Sequence, residues 1–254
     1  MRIPVQSDRM NPRLHLRVLW LSRCSLIGLG IALEEKNMPG MFHHEEHFRG
    51  REAVQKLGEV SIALCGAGAL GSHLADNLLR QGIRRLRVID FDRIEEHNVG
   101  TQLYGVSEVG SKKVDVLRNR LFKATRVEID AIAKQLTEGN AKKFLGGADL
   151  VLDTFDNSQS RQVVQASCRA SGQSCLHVGL AGDYAEVIWD ETYEVPEDGD
   201  VDACNYPLAR NLVLLAVGVA TESLLGHLLG GEKRSYSMTL RDFAVRPMEG
   251  ARSE

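Results

Sequence analysis

The sequence predicts an α/β fold, a Rossmann-like, doubly wound and mostly parallel sheet with an antiparallel C-terminal extension. Three observations carry that expectation. Residues 61–102, SIALCGAGALGSHLADNLLRQGIRRLRVIDFDRIEEHNVGTQ, read as a strand, a glycine turn, a helix and a second strand ending at Asp90, which is the layout of a nucleotide-binding βαβ unit. The run ADLVLD at 148–153 is apolar through its centre without alternation, as in strands covered on both faces of a parallel sheet. From residue 184 onwards (YAEVIWD) the regular strand–helix alternation stops, and an antiparallel part begins there.

Element by element, residues 44–58 are charged and helical in pattern. Residues 62–65 form the first strand, and 70–81 a helix with Leu70, Leu74, Leu78 and Leu79 towards one face. Residues 86–91 form the second strand, 111–123 a helix, 127–133 a third strand and 138–145 a short helix. The strand at 148–153 is followed by a helix at 158–171 and a strand at 174–179. Residues 191–207 are acidic and carry two prolines and a glycine, so they read as a long loop. Residues 208–229 are strongly apolar but contain Arg210, Asn211, Glu222, His227, Gly218 and Gly226, which points to a buried core or dimer-interface helix rather than a membrane span. Residues 235–241 look like a closing strand, and the last few residues look frayed.

The chain has 254 residues with 43% hydrophobic and 26% charged residues and a net charge of −3. That supports one large α/β domain, and nothing in it suggests a general nucleic-acid binder. Five scattered cysteines without a CxxC pair argue against both a disulfide framework and a structural zinc knuckle. The expected compartment is cytoplasmic. Residues 14–33 are largely apolar and preceded by arginines, so a signal peptide or anchor is one reading of the N-terminus. The other is that residues 1–40 are an extension, in part outside the natural product, ahead of a domain at 41–254.

Chemistry concentrates after the first strand. Gly66 suits the tight turn, Gly68 lets phosphates approach the backbone, and Gly71 lets the helix, which begins near Leu70, pack closely. The helix N-terminus offers free N–H groups to a phosphate. Asp90 is placed to accept from ribose hydroxyls. No GxxxxGK[ST] occurs, which excludes a P-loop NTPase. A dinucleotide site would leave Asn98, Gln102 and Lys113 without a role.

Those residues, in the segments DFDRIEEHNVGTQ, VGSKK and LVLDTFDNSQSR, resemble the ThiF/MoeB/HesA family of ubiquitin-activating-like adenylyltransferases. The matching positions are Gly66 to Ser72, Asp90 and Asp92, Asn98, Gln102, Val109-Gly110, Lys113 and Asp156-Asn157. The resemblance spans roughly residues 44–230. It implies an ATP-dependent enzyme in which the C-terminal carboxylate of a small ubiquitin-like or sulfur-carrier protein attacks the α-phosphate, giving an acyl-adenylate and pyrophosphate. It further implies Lys113 as the phosphate cation, Asp156 as the Mg²⁺ ligand, Asn98 and Gln102 as phosphate-orienting groups, Asn157 in the nucleotide site and a homodimer. Cys204, in the acidic loop DGDVDACNYP, is the candidate nucleophile for onward transfer, as in family members that form a thioester or persulfide. A carboxylate on a tRNA base or a peptide is the alternative acceptor, and a non-catalytic nucleotide-binding subunit the alternative role.

The chain departs from the family pattern at Thr101, where the family has an arginine. Arg49 or Arg51 either replaces that cation from a neighbouring subunit or is a solvated helix arginine. Arg161 has both a functional and a structural reading. His177 is a weaker candidate for substrate contact. His43, His44 and His47 read as solvated or capping residues rather than a metal site.

Overall fold

The computed structural model describes residues 40–197 and 207–248. In chain order these form α1 (His43–Arg49), α2 (Arg51–Glu59), β1 (Ser61–Cys65), α3 (Ala69–Gln81), β2 (Arg85–Ile89), α4 (Lys113–Thr125) and β3 (Asp130–Ile132). There follow α5 (Glu138–Leu145), β4 (Leu150–Asp153), α6 (Ser158–Ser171), β5 (Ser174–Ala181), β6 (Tyr184–Trp189), α7 (Arg210–Gly230), β7 (Ser235–Thr239) and β8 (Ala244–Met248).

The strands make one eight-stranded sheet in the order β3-β2-β1-β4-β5-β6-β7-β8. β3 to β5 in that order pair in parallel, and β5, β6, β7 and β8 pair antiparallel. This is the doubly wound sheet with an antiparallel extension that the sequence predicts. Strand side chains alternate faces, and here both faces are covered. Ile62, Leu64, Leu86, Val88, Leu150, Leu152, Leu176 and Val178 share one core with α3, α4 and α7. Ala63, Cys65, Ile89, Val151 and Cys175 share the other with α5 and α6. That is why these strands lack polar alternation. Cys65, Cys168 and Cys175 are buried free thiols of the second core.

β1 and β4 are neighbours, yet the helices that follow them, α3 and α6, lie on opposite faces. The sheet therefore has its topological switch point between them, where loops splay apart and leave a crevice at the carboxyl ends of the strands.

α7 is long and apolar enough to cross a membrane by composition alone. Nine of its residues are nevertheless buried in the protein, and it packs on α2, α3 and β5 to β7. Asn77 on α3 donates to Thr221 of α7 (2.9 Å), and the Trp189 indole N–H donates to Ser223 (3.1 Å).

Three local features differ from the sequence expectation. Gly50, at φ +91°, splits the N-terminal helical segment into α1 and α2. Short 3-10 turns at Glu96–Gly100 and Val106–Glu108 occupy the link to α4. Residues 244–248 form an eighth strand, β8, at the sheet edge, exposed at all but its first residue; the fraying expected of the last few residues falls on 249–254, outside the described residues.

Candidate active site

The crevice is built first from the glycine loop. Gly66 has φ +97°, and a Cβ on it would lie 2.7 Å from Thr154 Oγ1. A Cβ on Gly71 would lie 2.0 Å from the Gly66 carbonyl oxygen, so α3 starts against the loop itself. At Gly68 a Cβ would meet nothing within 4 Å, which leaves the loop backbone approachable from the crevice. The loop is held from three sides. Ala67 N–H donates to Asp90 Oδ2 (2.7 Å), Tyr104 OH donates to Ala67 O (2.7 Å), and Thr154 Oγ1 donates to Cys65 O (2.7 Å).

The segment after β2 supplies the charges. Asp90 is 6% exposed and also accepts from Asp92 N–H at 2.7 Å. Burial pushes its carboxyl above the ordinary value, while the Lys113 charge and the two backbone donors hold it down in part. Residues 91–94 turn back against 110–113, with an antiparallel bridge between Arg93 and Lys112 and Lys113 N–H donating to Asp92 O at 3.0 Å. That pairing places Lys113, the first residue of α4, with Nζ 2.9 Å from Asp92 Oδ2 and its side chain 9% exposed.

Asn98 and Gln102 come from the first 3-10 turn and its exit. Asn98 Oδ1 accepts from Glu95 N–H (2.9 Å), capping the turn. Gln102 Oε1 is buried and has no hydrogen-bond partner. An acceptor left so costs about 1–3 kcal/mol, and it lies in a cavity wall where a donor on a ligand would satisfy it. After β4, Asp156 is exposed, and Asn157 caps α6 by accepting from Ser160 N–H at 2.9 Å.

These groups enclose two adjoining hollows. The larger, about 340 Å³, is lined by Gly68, Leu70, Asn98, Gln102, Lys113 and Asp156 among others. The smaller, about 180 Å³, takes in Gly66, Asp90, Lys134, Gln135, Leu136 and Asn157. Gly68, Asp92, Lys113, Thr154, Phe155 and Asp156 border both, so they are halves of one crevice. Gly71 borders neither and acts through close packing. Cys204, with Asp198, Asp200 and Asp202, lies outside the described residues.

Beneath the crevice is a buried polar network. Asp153, fully buried at the end of β4, accepts from His177 Nδ1 (2.9 Å) and lies 3.6 Å from Arg161. The other ring nitrogen of His177 faces Asp190 at 3.2 Å, and the ring stacks on Tyr193 with centroids 3.8 Å apart. His177 is thus 1% exposed and sits away from solvent. Arg161 donates to Tyr193 OH (2.8 Å) and Val178 O (3.0 Å) and borders the larger hollow. Burial opposes its charge, but Asp153 and Tyr193 outweigh that and its pKa is raised. Arg49 is paired with Glu45 (2.9 Å) and with Glu222 of α7, whereas Arg51 is exposed.

Sequence reasoning missed Tyr104 and Thr154 as loop supports. Thr154 directly follows the strand-end Asp153, and that adjacency was a usable signal. Tyr104 reaches the loop only through a tertiary contact, and its neighbour Leu103 donates its N–H to Ser72 Oγ at 3.1 Å.

The chain is 35% identical over 117 residues to the sulfur carrier protein adenylyltransferase of Thermus thermophilus, covering 45% of this chain and 43% of the relative. It is 30% identical over 119 residues to tRNA threonylcarbamoyladenosine dehydratase 2 of Saccharomyces cerevisiae, covering 45% and 27% respectively. The chain thus spans less than half of either relative's length. The crystal structure of E. coli MccB with ATP superposes with a TM-score of 0.70 at 15% identity, covering 85% of this chain and 72% of that one; this is a likeness of fold. The ThiF family pattern itself matches residues 44–221, and the chain belongs to the ThiF family.

Proposed function

We propose that this chain is an ATP-dependent adenylyltransferase that activates the C-terminal carboxylate of a small ubiquitin-like or sulfur-carrier protein. The observation that carries the reading is the single crevice at the β1/β4 switch point, where the glycine loop, Lys113, Asp156 and Gln102 converge. A dinucleotide oxidoreductase would have no use for the last three.

In this reading the smaller hollow takes the adenosine, with Asp90 on the ribose, and the phosphates lie over Gly68 towards Lys113. The acceptor carboxylate enters the larger hollow, which Leu180 and Leu208 also border. It attacks the α-phosphorus, the bond to the bridging oxygen breaks, and pyrophosphate leaves. Lys113 offsets the charge that builds on the phosphates.

Among the described residues no group of three or more His, Cys, Asp or Glu side chains gathers as a metal site. That suits Mg²⁺ held by a single carboxylate, because this ion keeps several waters and takes its other ligands from phosphate oxygens. Asp156, exposed at the crevice, would hold it, and when bound it supplies charge neutralisation at the phosphates. Replacing Asp156 by alanine is expected to abolish Mg²⁺-dependent ATP–pyrophosphate exchange. Retained exchange would remove Asp156 from the site.

Cys204 is the proposed acceptor of the activated acyl group. Its thiolate attacks the acyl-adenylate carbonyl, forms a thioester and releases AMP. Cys204→Ala is expected to keep pyrophosphate exchange and lose only the thioester, read as a reductant-sensitive conjugate on a gel. Equal loss of both activities would withdraw the nucleophile role.

A cytoplasmic homodimer formed by the domain at 41–254, with residues 1–40 as an extension, completes the reading. Leu214 of α7, 45% exposed in the monomer, is consistent with a covered helix face. The yeast relative's name raises a tRNA substrate as a second reading. The net charge of −3 disfavours a long polyanion such as tRNA. NADH binding in place of ATP would sink both.

A further inference from the structure

We propose that Arg210 is a phosphate-binding residue of this site, contacting the β- and γ-phosphates of ATP and the pyrophosphate that departs. The inference rests on the nucleotide reading above and adds to it the first residue of α7, which borders neither hollow itself but follows Leu208 at the wall of the larger one.

The first argument is charge. The larger hollow is bordered by the carboxylates of Asp92, Glu95 and Asp156 and by the cations of Lys113 and Arg161. Both cations are already matched, Lys113 by Asp92 at 2.9 Å and Arg161 by Asp153 at 3.6 Å. Even with one divalent cation, a triphosphate placed there meets a wall whose own carboxylates exceed its cations. The site therefore calls for a further positive group that is not already neutralised.

The second argument is place. Gly182 and Leu208 form an isolated parallel bridge, and Leu208 borders the larger hollow. This holds the start of α7 at the crevice, and Arg210 is the first residue of that helix. Its Nη1 lies 3.5 Å from His73 Nε2, which in turn lies 3.1 Å from the carbonyl oxygen of Thr101. Thr101 itself borders the hollow. The guanidinium is thus linked through His73 to the backbone of Thr101, whose side chain carries no charge.

The third argument is availability. Arg210 is exposed and has no carboxylate partner among the described residues. Its contact with His73 is at the outer limit of a hydrogen bond, and the N–H of one group competes with that of the other. Little holds the guanidinium back from a phosphate, for which its planar fork of donors is well suited. The dipole of a 21-residue helix adds positive potential at the same end.

The test is calorimetric titration of the full chain with ATP and with AMP in the presence of Mg²⁺. Arg210→Ala is expected to weaken ATP about tenfold, the worth of one charge-assisted contact, and to leave AMP unchanged, because AMP lacks the outer phosphates. Arg210→Lys is expected to retain part of the preference. Thr101→Arg added to Arg210→Ala is expected to restore it, which a merely structural role for Arg210 would not allow. Equal weakening of ATP and AMP, or none, overturns the proposal while ATP binding by the unaltered protein leaves the nucleotide reading intact. If the unaltered protein binds neither nucleotide, both fall. If it binds ATP but exchanges no pyrophosphate, the adenylation reading falls and the ATP-to-AMP ratio still decides the role of Arg210.

Discussion

Replacing Lys113 by alanine is expected to lower ATP–pyrophosphate exchange by about 10²–10³-fold, the usual loss when one preorganised stabilising group is removed from the position where charge develops. Its position follows from the backbone. The hairpin-like return of residues 110–113 onto 91–94 brings Lys113 to the first turn of α4, and burial of all but 9% of the side chain limits where Nζ can go. Asp92, its partner, has a side chain 45% exposed, so water replaces the lost contact and folding is little affected. The paired measurement is exchange rate and melting temperature. A large loss of exchange with an unchanged melt assigns the effect to chemistry. Unchanged exchange would remove Lys113 from the phosphate site.

Asp153→Ala is expected to act in the opposite way, chiefly on stability. Asp153 is fully buried, and both His177 and Arg161 depend on it. Removing one partner of a buried charged group strands the others, at a cost of about 3–5 kcal/mol. For a domain of this size each kcal/mol shifts the melting temperature by about 2–4 °C, so a fall of roughly 6–20 °C is expected. Asp153→Asn keeps the shape and one acceptor and is expected to lose less. A melt for the alanine variant indistinguishable from the unaltered protein would contradict the account of the network.

Much of this was legible in the sequence, for physical reasons that can be named. β1 and β4 are covered on both faces, so their residues cannot alternate, and unbroken apolar runs expose them. The glycine loop was readable because Gly66 requires positive φ and Gly71 admits no Cβ, constraints that restrict residue type. Lys113, Asp156 and Gln102 were readable only through the linked family motifs. β8 was not readable because an exposed edge strand needs no apolar pattern. Asn98 and Asn157 border the crevice, and each also spends its carbonyl on a local cap that the sequence did not show. The Asp153–His177–Asp190 network joins the end of β4, the middle of β5 and the residue after β6, and no local pattern marks it. The same holds for Arg210, which meets His73 only once α7 has packed on α3.

The central claim, that this crevice joins ATP to a protein carboxylate, is tested most directly by incorporation of labelled pyrophosphate into ATP. The chain is assayed with Mg²⁺, with and without a small ubiquitin-like or sulfur-carrier protein bearing a free C-terminal carboxylate. Incorporation that appears only when such an acceptor is present is the predicted result. Tight ATP binding with no incorporation for any such acceptor would contradict the account and leave the chain as a nucleotide-binding subunit.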